Sequence, residues 1–503
     1  MASHIAAQQK AIERLLKGLN HQKSGEFEKA QRCYQQALKK DPNNPEALNL
    51  MGVISRQLGY PKRAIDYLQR AIARNPAEPS FHTNLAHAML VAGADADDLL
   101  AACAKALSLD QWDRDARNIK GIALTNKGQF SEAEQLYKSL VIEFPDFVDA
   151  YLNYGLLMMK AGQAKQAVGF FAKAIAIDCG NPVPIIQLAR ARLALEQYEQ
   201  SQAELAKALE RFPDNGDIAH EAARVFFSVN EPDKALPYAR QAIRSDPHNH
   251  HKALTLGSVY LMNRQAKEAL ETLLLARKNA PADNRTIDWN LSLAYLANGD
   301  LKNGWALHKA RFEDETTQAR ERKFDVPAWA GEDISDKTIL VWSDQGLGDV
   351  LRAGTMLPEL VARAKKVIIE TPEKAAKFIQ YSFPQTTCRS PAVDKDLRST
   401  LSDYDLHTNI TDLVDFFRPD VNSFKRASVP AYSFETGRAK DYLTRLKGHD
   451  TKPVIGISWR SNKLTARRAR FYLSALDLAP VLDSRDAIFV NLQYKTEDEE
   501  IAF

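Results

Sequence analysis

Six prolines keep a beat along the first three fifths of the chain. Pro42, Pro76, Pro145, Pro213, Pro247 and Pro281 are separated by 34, 69, 68, 34 and 34 residues, so one extra residue after Pro76 accounts for the whole departure from a 34-residue period. Alanines keep the same interval at Ala30 and Ala64, Ala133 and Ala167, and Ala235 and Ala269, and Gly18, Gly52, Gly121, Gly155 and Gly257 mark another phase. A unit of this length cannot bury an apolar face alone. Stacked units can, and a linear array with one continuous core is the fold this period selects.

Each unit reads as two amphipathic helices. One precedes a turn such as KSGEFEKA or NKGQFSEA, and the other follows it and stops near the proline. Small residues at the glycine and alanine phases let paired helices approach, and Tyr34, Tyr137, Phe171 and Leu273 fill the adjoining layer. The pattern resembles the tetratricopeptide repeat, with nine units from about Ala11 to about Phe312. Such arrays present a surface that holds another polypeptide. Asn84, Asn153 and Asn290 recur near one phase of the repeat. In the repeat superhelices attached to protein O-GlcNAc transferases an asparagine row grips the partner's backbone, so the resemblance implies that role for these three; ordinary polar helix residues are the alternative.

Composition removes several classes of function. The 67 basic and 64 acidic residues leave a net charge of +3, which favours neither nucleic-acid binding nor an acidic tail. Cys33, Cys103, Cys179 and Cys388 are scattered and suggest neither a zinc site nor a disulfide framework. No segment has the apolar length of a membrane span, and the charged N-terminus lacks a signal peptide's apolar core, so a cytoplasmic protein is expected. The string PHNHH at 247–251 reads as a turn between repeats with surface histidines, and no metal is expected.

Near Trp305 the repeat grammar fades, and the charged stretch RFEDETTQARERKFD suits a cap and linker over 313–337. Short β-branched runs follow: TILVW at 338–342, KVIIE at 366–370, VIGISW at 454–459 and AIFVNLQ at 487–493. Helical segments alternate with them, which predicts a parallel sheet whose ligand site lies at the carboxyl ends of its strands. The loop SDQGLGDVL at 343–351 occupies one such end. Gly346 and Gly348 supply the start of a dinucleotide fingerprint, with Glu370 where a ribose-binding acid would stand. Leu351 takes the place of the third glycine, and Asp349 would put negative charge where a pyrophosphate needs bare N–H groups, so that reading fails.

Gly348-Asp349-Val350-Leu351 with Leu357-Pro358 is similar to the first loop of heptosyltransferase-like glycosyltransferases, which have the GT-B fold of two facing Rossmann-type domains. The likeness extends to bacterial proteins that join tetratricopeptide repeats to such a module, through Gly304-Trp305, Pro327 to Gly331, Gln345 to Asp349, Gly456 to Arg460 and Asn491 to Tyr494. It implies an α-solenoid over 11–312, a first Rossmann-like domain over 338–435, a linker helix over 436–452, and the start of a second domain over 453–503 that is incomplete at Phe503. It also implies a nucleotide-sugar donor, no metal or cofactor, and Asp349 as the base that deprotonates an acceptor hydroxyl. Gln345, Gly346, Gly348, Trp459, Arg460, Lys463, Arg468 and Arg470 would face the donor, the arginines suiting diphosphate oxygens. Two alternatives stay open: Asp349 as a helix cap, and the whole chain as a non-catalytic scaffold with a vestigial GT-B fold.

Overall fold

The structure, a computed structural model, describes residues 2–314, 317, 319–344, 346–426, 432–433, 435–448, 450–459, 473, 476–484 and 486–493. The chain divides into two compact units, Met1–Pro213 and Asp214–Phe503.

The first unit is built from six helix pairs. Their first helices are α1 (Ala2–Lys23), α3 (Pro45–Gln57), α5 (Pro79–Val91), α7 (Arg114–Asn126), α9 (Val148–Lys160) and α11 (Pro182–Ala194). The second helices are α2 (Phe27–Leu38), α4 (Pro61–Arg74), α6 (Ala96–Leu109), α8 (Phe130–Glu143), α10 (Ala164–Ile177) and α12 (Tyr198–Arg211). Side-chain oxygens start several first helices: Asn44 accepts from the Ala47 N–H at 2.9 Å, and Asp113 from those of Asp115 and Ala116. The periodic prolines fall just beyond second helices, as Pro76 does after α4 and Pro145 after α8.

The glycine phase has a steric reason. A Cβ on Gly18 would lie 2.4 Å from the Tyr34 ring, and one on Gly155 would lie 2.4 Å from Phe171. Both rings are fully buried, so the missing side chain is what seats the aromatic. First helices also pack on first helices, α3 on α5, α5 on α7 and α7 on α9, whereas successive second helices share no comparable contact. The first helices therefore form the inner, more crowded face of this unit.

The second unit opens with three more pairs: α13 (Gly216–Ser228) with α14 (Pro232–Ser245), α15 (His250–Met262) with α16 (Ala266–Asn279), and α17 (Arg285–Ala297) with α18 (Leu301–His308). A 3₁₀ turn, Lys309–Phe312, closes the series. His250 and His251, expected in a turn, instead form the first residues of α15.

Beyond it lies a four-stranded parallel sheet, β1 (Thr338–Trp342), β2 (Lys366–Glu370), β3 (Thr387–Arg389) and β4 (Leu406–Asn409), in the order β3-β2-β1-β4. Helices α19 (Leu347–Gly354), α20 (Leu357–Val361), α21 (Glu373–Ser382) and α22 (Leu413–Phe417) connect or follow the strands. Parallel strands need cover on both faces. One face packs Ile339, Val341, Val367 and Ile369 against Val350, Leu357, Leu360, Ile379 and Leu413. On the other, Leu340, Ile368 and Tyr404 meet Phe324 and Val326 of the linker. The linker also joins the sheet at its β4 edge, where the Trp329 N–H donates to the His407 carbonyl at 2.8 Å and the His407 N–H to that of Pro327 at 3.2 Å.

After α23 (Thr436–Lys447), β5 (Val454–Ile457) and β6 (Ile488–Asn491) form a separate two-stranded parallel sheet. No residue of α23 is buried. The described residues thus hold one small parallel sheet and one strand pair, a coarser arrangement than the two facing Rossmann-type domains that the family resemblance implies.

Candidate functional site

In the first unit the inner face carries a ladder of side-chain amides. Asn84 and Asn153 each stand six residues after the N-cap residue of their helix, and each donates to an asparagine on the preceding first helix: Asn84 to Asn49 at 2.9 Å, Asn153 to Asn118 at 3.0 Å. Thr83 donates to Asp113 at 2.5 Å between those two pairs. Each bond uses only part of an amide's capacity and holds the rest in fixed orientation. Around them lie His87, pushed down by burial and by Arg56, and Asp149, pushed up by burial and then by Asp115. Asp149 is itself exposed.

The second unit has its own row. Asn290 also stands six residues after an N-cap, Asn284, and it accepts from Ser258 and donates to the Thr286 carbonyl, both at 2.9 Å. His220 bonds Thr255 at 2.9 Å in the equivalent place one helix pair earlier. Trp289, one residue before Asn290, lies edge-on to His308 with ring centroids 5.3 Å apart.

At the carboxyl ends of the sheet strands, the order reverses between β1 and β4. In open α/β sheets that reversal is where a crevice forms. Here polar side chains from three segments fill it. Asn409, at the end of β4, donates to Asp344 in the loop after β1 at 2.6 Å. Arg311, from the 3₁₀ turn, reaches Asp344 through Nε at 3.4 Å and Thr411 through Nη2 at 3.0 Å. Its Nη1 donates to the His308 ring at Nδ1, 2.7 Å away, and to the His308 carbonyl at 3.0 Å. The side chains of Arg311 and Asp344 are each 1% exposed. A buried ion pair of this kind is tenable because neighbouring hydrogen bonds satisfy both charges. His308, pushed down to about 3 by burial and then by Arg311, stays neutral and can accept that donor.

Asp349 lies in the first turn of α19, with its side chain 43% exposed. The helix is capped by Gly346 without a side-chain bond, and the Asp349 carboxylate meets the Arg352 guanidinium at 3.3 Å. Among the described residues it caps no backbone N–H. Methyl groups built on Gly346 or Gly348 would touch nothing within 4 Å, so the space above this loop is open. A cavity of about 720 Å³ lies elsewhere, beside α21 and β3, lined by Lys377, Gln380, Tyr381 and Cys388 among others.

Glu370 is wholly buried and occupied. Arg322 and Arg389 each hold one of its oxygens at 2.8 Å, which leaves no carboxylate for a ribose. At the second sheet, Gln493 Oε1 accepts from the Trp459 N–H at 3.0 Å. Gln345, Arg460, Lys463, Arg468 and Arg470 lie outside the described residues. Arg311, Asp344, Asn409 and Thr411 were missed in the sequence reading. Only Asp344 had a signal, the polar opening of SDQGLGDVL.

Profiles described as tetratricopeptide repeat match residues 15–79, 56–116, 120–182, 158–224 and 220–284, together more than half of the chain. The chain is 24% identical over 423 residues to Protein FlbA of Caulobacter vibrioides, a match covering 79% of this chain and 70% of the relative. That is longer than the repeats, which end by Phe312 of 503 residues, so the similarity reaches into the α/β region. It is 27% identical over 183 residues to human Protein O-mannosyl-transferase TMTC3, a match covering 35% of this chain and only 20% of the relative. Among solved structures, a tetratricopeptide repeat protein from Parabacteroides merdae matches at 18% identity with a TM-score of 0.41, over 50% of this chain and 98% of that one. No helix among the described residues is long and apolar enough to cross a membrane. With its periodic glycines seated on buried side chains, its repeating helix pairs and repeat profiles over more than half of its length, the chain belongs to the tetratricopeptide-repeat family and is a scaffold for protein interactions.

Proposed function

We propose that the inner row of first helices in each unit holds an extended polypeptide segment and that the α/β region transfers a sugar from a nucleotide-sugar donor to an acceptor hydroxyl. The observation that carries the reading is the state of Asp349: 43% exposed, free of any capping bond among the described residues, and set at the carboxyl end of β1 beside the order reversal. A carboxylate in that place can take the proton of an attacking alcohol. Gly346 and Gly348 leave its approach open, and Asn84, Asn153 and Asn290 supply amides for a partner's backbone. Gln345, Trp459, Arg460, Lys463, Arg468 and Arg470 remain the proposed donor-facing residues. A relative named as a protein O-mannosyl-transferase is of the same general kind. The four free cysteines suit the cytoplasm.

A second reading, a scaffold without catalysis, is favoured by the Arg311–Asp344–Asn409 cluster that fills the crevice and by a second sheet of only two described strands. Calorimetry with a panel of nucleotide sugars, followed by a transfer assay on the wild type and Asp349→Asn, separates the two. The first reading expects a donor that binds and a variant whose turnover falls about 100-fold or more. No binding by any donor, or unchanged turnover in the variant, sinks it.

A further inference from the structure

We propose that Arg311 is a positioning residue that joins the inner row of the second unit to the loop carrying Asp349. Trp289 lies next to Asn290 in that row, five residues after its N-cap, the same place that Asn49 and Asn118 hold in α3 and α7. Its ring meets His308, whose other aromatic neighbour is Trp305 at 5.1 Å. His308 takes two donors from Nη1 of Arg311, Nε goes to Asp344, and Nη2 goes to Thr411 and pairs with the Asp412 carboxylate at 3.6 Å. Asp344 in turn fixes Asn409, and five residues further along the same loop and helix stands Asp349. Every link from the row to the loop is a direct contact between named side chains.

The arrangement has little slack. Thr411 accepts Arg311 while its own hydroxyl donates to Asn409 Oδ1 at 2.7 Å, and Asn409 Nδ2 holds Asp344. Phe312 covers the guanidinium, whose carbon lies 4.1 Å from the ring centroid. Moving the Trp289 ring shifts the His308 ring, a side-chain acceptor of Nη1, and the guanidinium is a planar fork, so its Asp344 end turns with it. A polypeptide lying along the row would press on Trp289, and the loop would register it. That last step rests on the polypeptide reading above; the contacts from Trp289 to Asp344 do not.

The test needs neither partner nor donor. Hydrogen exchange is measured by mass spectrometry on the full chain for wild type, Trp289→Leu, Arg311→Lys and the double variant. Each single change is expected to speed exchange of the peptide 343–350 by about tenfold, with amides of α13 to α16 unchanged, because local opening is set by the contacts of the segment that opens. The double variant should exchange no faster than the faster single one, since both break the same chain of contacts. Three results overturn the proposal: a loop unmoved by Trp289→Leu, effects that multiply in the double variant, or acceleration spread evenly through α13 to α16. If Arg311→Lys does not fold, Thr411→Val takes its place and the same outcomes decide. No sugar transfer by the wild type, with exchange changing as expected in the variants, would count against the proposed function and leave this relay intact.

Discussion

A methyl group on Gly121 would lie 2.5 Å from Cζ of Tyr137, a ring with no exposed surface. The pair, 16 residues apart, repeats as Gly18 with Tyr34, Gly155 with Phe171 and Gly257 with Leu273. One small and one large residue are therefore a single packing element, and each sets the size allowed to the other.

Gly121→Ala should destabilise the first unit by about 1–3 kcal/mol through overpacking, against a gain of up to about 1 kcal/mol from helix propensity. Gly169, in α10, has nothing within 4 Å of an added Cβ. Gly169→Ala should therefore raise stability by as much as about 1 kcal/mol, opposite in sign. Urea titration followed by far-ultraviolet circular dichroism reads both, and equal shifts in one direction would contradict the steric account.

Six turns between paired helices contain a glycine at positive φ, such as Gly128 at 77°, but Glu196, Asn230 and Arg264 hold the same conformation near 58° without one. A left-handed residue with a Cβ costs about 1–2 kcal/mol, partly returned by glycine's greater entropy when unfolded. Arg264→Gly should raise stability by about 0.5–1 kcal/mol. A fall in the thermal midpoint would show that the Arg264 side chain makes a contact worth more than the strain.

Glu370→Gln should cost about 3–5 kcal/mol, because Arg322 and Arg389 would keep their charges around a neutral amide in a buried place. Denaturant unfolding of the second unit, followed by tryptophan emission, measures it. A near-neutral result would mean that water reaches the two guanidinium groups.

His308 and His407 are pushed down to about 3 and about 4, each chiefly by burial and next by a nearby arginine, Arg311 or Arg322. Both are neutral when folded, so below the ordinary histidine range near 6.5 the unfolded chain binds protons that the folded one refuses. Their contribution is whole above about pH 6.5 and declines as the pH falls toward 4 and then 3, by about 1.4 kcal/mol per pH unit for each histidine well inside that window. His407→Asn keeps an acceptor near the Trp342 indole and should flatten the slope between about pH 6.5 and 4 by one proton. An unchanged slope would place the acid sensitivity elsewhere.

The repeat was legible because its determinants are local and recur: a proline beat, a small residue, and a large one 16 positions later. β1 and β2 were legible as apolar runs, TILVW and KVIIE. β3, TCR, and β4, LHTN, carried no such run, and they are strands because β2, β1 and the linker supply their hydrogen-bonding neighbours. The linker helix over 436–452 was implied by the family resemblance alone, and α23 occupies Thr436–Lys447 of that range. Arg311 could not be placed, since an arginine in a charged stretch is normally solvated and its partners stand 33 and 100 residues away. Glu370 was open to misreading for the same reason: the position of an acid at a strand end is visible in sequence, and the two cations that neutralise it are not.

By bridging to His407, the linker at Pro327 to Trp329 covers the middle of what would otherwise be a raw margin of β4. Unpaired strand margins invite pairing between molecules. With this one partly covered, the other margin of the four-stranded sheet is β3, only three residues long and ending in an arginine already tied to Glu370 and Asp403. The segment that joins helices to sheet thus also narrows the room for another copy to pair at the β4 edge.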